Sequence, residues 1–301
     1  MLPTRIISQD GSCKYSFPLE SNLRMESAFF MVPGRERPNI ACISTQLGCA
    51  VRCQFCSTAE MPFFRNLTAR EMLSEVTTIL EDQYGPRILL EGFEVSFMGM
   101  GEPLANLKNV LKAVREIGSR YPEITRVSVS TAGPADRIHA LIREMPIAPP
   151  IHLQISLHAT NDETRRTLIP NAPETISKLL SAARKYHDVT GDQVFVNYVL
   201  IKGINDSPED ARWLARLDKE AFYIKISQLN TIAGLPAHLV PASMKEILQF
   251  SSMLALMGAA HKVFVGDGLD VQASCGQLAA IPREIVQVEL QEEECSTVNL
   301  S

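Results

Sequence analysis

The chain has 301 residues, 46% of them hydrophobic, which is enough apolar material to bury a large core as one long α/β domain or two smaller ones. Its formal net charge of −5 gives no electrostatic case for a nucleic-acid partner, which ordinarily meets a basic face; a local basic patch would still permit one. The first ten residues contain no signal-peptide run, and no window approaches the ~18 apolar residues of a membrane span, so a soluble, cytoplasmic chain with reduced thiols is expected.

In chain order, residues 1–38 are the least regular part, with Cys13, an apolar run at 28–32 and a Pro/Gly/Arg turn at 33–38, and they read as a short β-rich extension. From residue 39 a repeating pattern sets in, in which a run of β-branched and apolar residues is followed by a turn and a segment of helical period. The runs lie at 40–46, 93–98, 126–131, 151–158, 194–201 and 223–229. Helix starts are marked by a capping box at Thr68-Ala69-Arg70-Glu71, by Asn106, by Ser207 with Pro208 at the first helical position, and by a second box at Ser243-Met244-Lys245-Glu246. Gly258 marks the end of the last of these helices. Six consecutive βα units with near-continuous apolar strands imply a parallel sheet covered by helices. Six is two short of a closed eight-unit barrel, so the expectation is a partial (β/α)6 TIM-like barrel over residues 39–286, open on one side. The acidic segment at 289–294 reads as part of a solvated tail, 287–301. Nothing in the sequence reads as a repeat, a low-complexity stretch or a domain linker.

Parallel barrels carry their sites at the C-terminal ends of the strands, so chemically equipped motifs should follow the runs. After the first run comes Gly48-Cys49-Ala50-Val51-Arg52-Cys53-Gln54-Phe55-Cys56, three cysteines in the spacing C-x3-C-x2-C. Thiolates are the ligands of iron-sulfur clusters, and a four-iron cluster held by three of them keeps one iron open to bind a small molecule. The same thiols also suit three legs of a structural zinc site, with Cys275 or a histidine as the fourth. After the second run, Gly99-Met100-Gly101-Glu102-Pro103-Leu104 offers close backbone approach and a carboxylate for an ammonium, or an ordinary turn. The third run ends in Ser130-Thr131-Ala132-Gly133, the fourth in Ser156-Leu157-His158-Ala159, and the sixth is followed by Asn230. A further run at 262–265 leads through Gly266-Asp267-Gly268 to Ala273-Ser274-Cys275-Gly276-Gln277-Leu278. Cys275 and Cys42 each admit the plain reading of a buried core thiol.

Together these residues resemble the RlmN/Cfr radical S-adenosylmethionine (SAM) methyltransferases, which methylate adenine carbons of ribosomal RNA and, for RlmN, of transfer RNA. The resemblance rests on residues 42–49 running into the cysteine motif, on 55–59, 98–104 and 129–133, on Ser156-Leu157-His158-Ala159 with Asn161-Asp162-Glu163, and on 273–278, in order over about residues 26–286. It implies a barrel of the radical SAM type in which Cys49, Cys53 and Cys56 hold a [4Fe-4S] cluster. It places SAM, two molecules per turnover, against Gly101, Glu102, Ser130, Ser156, Leu157, His158 and Asn230. It further implies that Cys275 carries a methyl group and that Cys42 releases the product by attacking the Cys275 sulfur as a disulfide forms. Glu26 matches the family's proton-accepting glutamate, at a slightly longer distance from Cys42. An electron donor such as flavodoxin or ferredoxin, and no membrane, belong to the same expectation.

Two departures bear on the substrate. Family members begin with a helical RNA-gripping module, whereas 25 residues precede Glu26 here, and they carry arginines where this chain reads Lys262-Val263-Phe264-Val265-Gly266. Phosphate contacts supply most RNA affinity, so RNA stands as the leading substrate class with a small molecule or peptide as the alternative. A non-catalytic, zinc-stabilised binding protein is the third reading. Cys13 and Cys295 receive no role.

Overall fold

The computed structural model describes residues 3–19, 23–31, 39–85 and 93–279, together with the backbone of Val288–Glu289. The expected turn at 33–38, Cys295 and most of the acidic tail lie outside the described residues.

The chain opens with an antiparallel meander of β1 (Thr4–Ile7), β2 (Cys13–Pro18) and β3 (Arg24–Phe30). β3 pairs with β4 (Asn39–Cys42), setting Ala28 opposite Cys42. β5 (Gln46–Leu47) and β6 (Arg65–Asn66) form a small hairpin whose long connection contains the cysteine motif. There follow α1 (Ala69–Tyr84), β7 (Phe93–Phe97), α2 (Leu107–Arg120), β8 (Arg126–Thr131), α3 (Ala135–Arg143), β9 (Ile151–Ser156), α4 (Asp162–Leu168), α5 (Ile176–Thr190), β10 (Val194–Leu200), α6 (Pro208–Leu214), β11 (Phe222–Gln228), α7 (Met244–Leu256), β12 (His261–Phe264) and β13 (Val288–Glu289). The sheet order is β12-β11-β10-β9-β8-β7-β4-β3-β2-β1-β13. All pairings from β4 to β12 are parallel, so β4 is the seam between a parallel half and the antiparallel meander.

The six expected strands are all present, and the run near 262 adds a seventh parallel strand at the edge. Only its pairing with β11 gives β12 that status, since His261 and Lys262 dilute its apolar run. The first run breaks early: β4 stops at Cys42, and Gln46 belongs to the hairpin. Ser44 accounts for the break, because its hydroxyl donates to the Glu26 carbonyl at 2.5 Å and accepts from the Met100 N–H at 2.8 Å, tying the chain sideways instead of along the ladder. Val288–Glu289, inside the expected tail, pair with β1.

The helices cover the sheet through apolar faces; α2, for example, buries Leu107, Val110, Leu111, Val114 and Ile117 at helical spacing. The capping boxes at Thr68, Ser207 and Ser243 all form, the one at Ser207 closed by Asp210. Asn106 departs from expectation: it occupies the N-cap position of α2 without capping it. Its amide instead donates to the carbonyls of Thr45 at 2.8 Å and Leu67 at 2.7 Å, satisfying two buried acceptors that flank the hairpin. Among the described residues, no helix is long and apolar enough to cross a membrane.

Candidate active site

The cysteine loop lies across the C-terminal ends of the parallel strands. Gly48 is fixed there by sterics: its φ is +74°, and a Cβ on it would come within 2.0 Å of the Pro62 carbonyl oxygen. From below, α4 and the residues after it hold the loop, with Gln54 N–H donating to the Leu168 carbonyl at 2.9 Å and the Asn171 side chain to the Ala50 carbonyl at 2.7 Å. Cys49, Cys53 and Cys56 all line one cavity of about 180 Å³. Burial pushes their thiols up, that of Cys49 to about 12, so in the bare protein they are protonated and ready to exchange protons for metal. Among the described residues, no three His, Cys, Asp or Glu side chains converge closely enough to hold a single ion. A four-iron cube takes one thiolate per iron, so its donors need not converge on a point, and three thiols around an open cavity fit it.

The cavity wall opposite the cysteines is built from strand ends, with Gly101, Glu102, Ser130, Ser156, His158 and Asn230 all on it. Glu102 is 6% exposed, and burial raises its pKa against the pull of its hydrogen bonds. Its Oε1 accepts from Leu104 N–H at 3.0 Å and Thr131 Oγ1 at 2.6 Å, and its Oε2 from Ala132 N–H at 2.8 Å. A carboxylate has about four acceptor positions, so these bonds leave about one, on Oε2, for a donor in the cavity. Ser130 Oγ lies 3.4 Å from Ser156 Oγ and accepts from the Asn197 side chain at 3.1 Å.

His158 takes a left-handed backbone, φ +56°, uncommon for a residue with a side chain and often found at functional positions. Its Nδ1 accepts from Val199 N–H at 3.1 Å, which leaves the proton on Nε2. Burial, then the nearby Arg165 charge, depress its pKa to about 3, so it meets the cavity as a neutral donor. Leu157 lies elsewhere: its side chain is fully buried in the core, outside the cavity lining, and its carbonyl accepts from Arg165 Nε at 3.3 Å.

The loop bearing Cys275 closes over this wall. Ser57 N–H donates to the Gly276 carbonyl at 2.7 Å, Thr58 Oγ1 to the Leu278 carbonyl at 2.7 Å, and the Asn230 side chain to the Cys275 carbonyl at 2.9 Å. The Cys275 side chain is exposed at the cavity wall. Cys42, 6% exposed, packs beneath the same loop with Ala28, Met98, Val271 and Ala273, outside the cavity lining. Burial raises the Cys42 thiol pKa, and negative charge at Cys275 would add to the effect. Glu26 is also outside the lining: its Oε2 accepts from Lys14 Nζ at 2.8 Å and from Ala279 N–H at 2.8 Å, tying β3 to the far end of the Cys275 loop.

Three residues with a place here carry no sequence motif. Asn197 reaches the wall from the middle of β10, a single polar residue inside the apolar run Val194–Leu200 and not in the motif-bearing stretch after a strand. Lys225, on β11, has the only cationic side chain among the described residues lining the cavity, with Nζ 4.1 Å from the centroid of the Phe264 ring. Arg165 is 1% exposed and donates to four carbonyl groups behind the cysteine loop.

Comparison with known proteins agrees with this arrangement. Residues 43–214 match the Radical SAM superfamily. The chain is 39% identical to a probable dual-specificity RNA methyltransferase RlmN of Thermus thermophilus over 95% of its own length and 79% of that protein. With the RlmN of Thermotoga neapolitana the identity is 35%, over 92% of this chain and 78% of the relative. The crystal structure of a radical SAM methyltransferase from Sphaerobacter thermophilus, 34% identical, superposes with a TM-score of 0.82 over 92% of this chain and 80% of that one. The SAM-bound SuiB of Streptococcus suis, at 14% identity and a TM-score of 0.56, shares the fold. A cavity walled by three thiols on one side and strand-end donors on the other is thus set in a family that uses a [4Fe-4S] cluster and SAM, and the chain belongs to the radical SAM superfamily, within its RlmN family.

Proposed function

We propose that this chain is a SAM-dependent radical methyltransferase that modifies an adenine carbon of ribosomal or transfer RNA, with Cys275 as its methyl carrier. One observation carries the reading: the Cys275 loop is bonded directly to the cysteine loop, Ser57 N–H to the Gly276 carbonyl, so that Cys275 and the three cluster thiols face the same cavity.

Cys49, Cys53 and Cys56 would hold the family's [4Fe-4S] cluster, which, with SAM and a low-potential electron donor of the flavodoxin or ferredoxin class, would supply the chemistry for abstracting a hydrogen atom from a methyl group. The chain's own residues prepare that event. The free acceptor position of Glu102, the Ser130 and Ser156 hydroxyls and the Nε2 proton of His158 orient the amino-acid and nucleoside parts of SAM. Cys275 takes a methyl group from one SAM and presents it to the cavity, while a second SAM serves the abstraction. A carrier is needed because an sp2 carbon is too weak a nucleophile to attack a sulfonium directly. Cys42, beneath the loop, would free the product by attacking the Cys275 sulfur as a thiolate: the S–S bond forms, the bond from that sulfur to the product carbon breaks, and the carbon leaves with the electron pair and takes up a proton, with Glu26, paired with Lys14 at the loop's end, as the proton acceptor.

The test is an anaerobic reconstitution with iron and sulfide, followed by incubation with SAM, reductant and fragments of ribosomal and transfer RNA. Methyladenosine in the RNA digest, lost in Cys275→Ala, is the expected result. Unmodified RNA beside a methylated small heterocycle or peptide would reject the RNA substrate and keep the chemistry. A colourless protein holding zinc would reject both.

A further inference from the structure

Arg165 is the largest fully buried side chain among the described residues, and no ion pair among those residues includes it. Its fork binds carbonyls alone: Nη2 donates to Ala132 at 2.7 Å and Ser156 at 3.2 Å, Nε to Leu157 at 3.3 Å, and Nη1 to Glu174 at 2.9 Å. The helix that carries it, α4, is wedged under the cysteine loop by the Gln54–Leu168 and Asn171–Ala50 bonds and by Asn171 N–H on the Val51 carbonyl at 3.3 Å. Leu168 and Ile169 pack with Val51 and Ala132, against which Cys49 and Cys53 lie. The guanidinium therefore sits between the ends of β8 and β9 and the underside of the thiol loop, outside the cavity itself.

No neutral side chain carries enough N–H donors for four carbonyls, so the carbonyls account for the guanidinium fork, while the buried charge that comes with it is a separate cost. Burying a permanent cation that makes no direct ion pair is unfavourable unless opposite charge faces it, and here the Asp162 carboxylate acts only at a distance. The charged and titratable groups that face Arg165 are Cys53, Asp162 and His158, of which the last is neutral. Loading the three thiols changes the balance: three thiolates outweigh the charge of the iron-sulfur core, the assembly is anionic, and reduction by one electron makes it more so.

We propose that Arg165 is a positioning residue for the cluster, whose fixed buried charge raises the cluster's reduction potential while its fork locks the ends of β8 and β9 to the cysteine loop. The inference rests on the ligand set proposed above. Acting through a low-dielectric interior, a buried cation favours the more negative redox state more strongly than a surface cation would.

The test uses the full-length protein loaded anaerobically with iron and sulfide, titrated with dithionite in the absence of SAM, with the electron paramagnetic resonance signal of the reduced cluster as readout. Arg165→Gln is expected to make reduction at least tenfold less favourable, a midpoint lower by about 59 mV for a one-electron couple. Arg165→Lys, which keeps the charge and loses the fork, is expected to stay near the wild-type midpoint while melting at a lower temperature. An iron-loaded Arg165→Gln protein with the wild-type midpoint, or an Arg165→Lys midpoint as low as that of Arg165→Gln, overturns the assignment. Should Arg165→Gln fail to fold, Arg165→Lys decides: its buried amine can lose its proton where a guanidinium cannot, so its midpoint should fall relative to wild type as pH is raised, and an Arg165→Lys midpoint that tracks wild type at every pH contradicts a charge effect. Failure of the wild-type protein to take up iron would instead remove the ligand set, and the inference with it.

Discussion

Ser57 N–H donates to the Gly276 carbonyl at 2.7 Å, joining the residue after Cys56 to the residue after Cys275. Two loops separated by some two hundred residues of chain are thereby held as one surface, and the methyl carrier has a fixed position relative to the cluster thiols. The contact depends on Gly276, whose φ is +79° and whose Cβ would lie 2.9 Å from the Phe55 carbonyl oxygen.

Gly276→Ala should therefore displace the Cys275 loop. The left-handed conformation alone costs roughly 1–2 kcal/mol for a residue with a side chain. The expected outcome is a melting temperature lower by a few degrees and a Cys275 methylation stoichiometry, read by mass spectrometry, at least threefold lower. Unchanged methylation would mean the loop tolerates the shift.

Glu102→Gln places an amide among three donors. The N–H groups of Leu104 and Ala132 and the Thr131 hydroxyl then compete for one oxygen, and each donor left without a partner costs roughly 1–3 kcal/mol. Reduced thermal stability and SAM affinity at least tenfold weaker, by equilibrium dialysis against the iron-loaded protein, are expected together.

Glu75 gives the fold a pH dependence. Fully buried on α1, it accepts from Ser44 N–H at 2.9 Å and from the Ser27 hydroxyl, and its Oε1 has no partner. Burial raises its pKa to about 8 from the ordinary 4.5. Between those values the folded state holds a proton that the unfolded state has released. The stabilisation is thus complete below about pH 4.5 and lost as pH rises through about 8, amounting to a few kcal/mol on the order-of-magnitude scale set by the shift. Glu75→Gln, which mimics the neutral acid, should raise the melting temperature more at pH 8.5 than at pH 5; a uniform change at both would contradict the assignment.

Lys225→Met should make Cys42 harder to ionise. Lys225 is a cation whose charge favours the Cys42 thiolate, against burial and Cys275, which oppose it, joined by Glu75 once that carboxyl ionises above about pH 8. In iron-free, denaturant-free protein given oxidised glutathione, which takes the two electrons and leaves as two equivalents of the reduced thiol, the pH profile of Cys42–Cys275 disulfide formation should move to higher pH, and Lys225→Arg should restore it.

The parallel strands and capping boxes are legible in the sequence because both are local: an apolar run with turn signals, or a Ser/Thr and an acid three residues apart, needs no distant partner. The strand-end motifs are legible for the same reason, since the topology then places them on one rim. Asn106 reads as a cap because its type and position fit one, but two buried carbonyls across the hairpin claim its amide. β12 gains strand status only from its pairing with β11, and Arg165 and Lys225 gain their roles from carbonyls, thiols and rings remote in sequence. An arginine on a short polar helix looks solvated until the fold buries it.

The most direct test of the central claim is mass spectrometry of the Cys275 peptide from iron-loaded protein incubated anaerobically with reductant and SAM carrying a deuterated methyl group. Methyl transfer through Cys275 predicts that this peptide gains one labelled methyl group and that Cys42 remains unlabelled. An unlabelled Cys275 in a protein that nonetheless methylates RNA would contradict it.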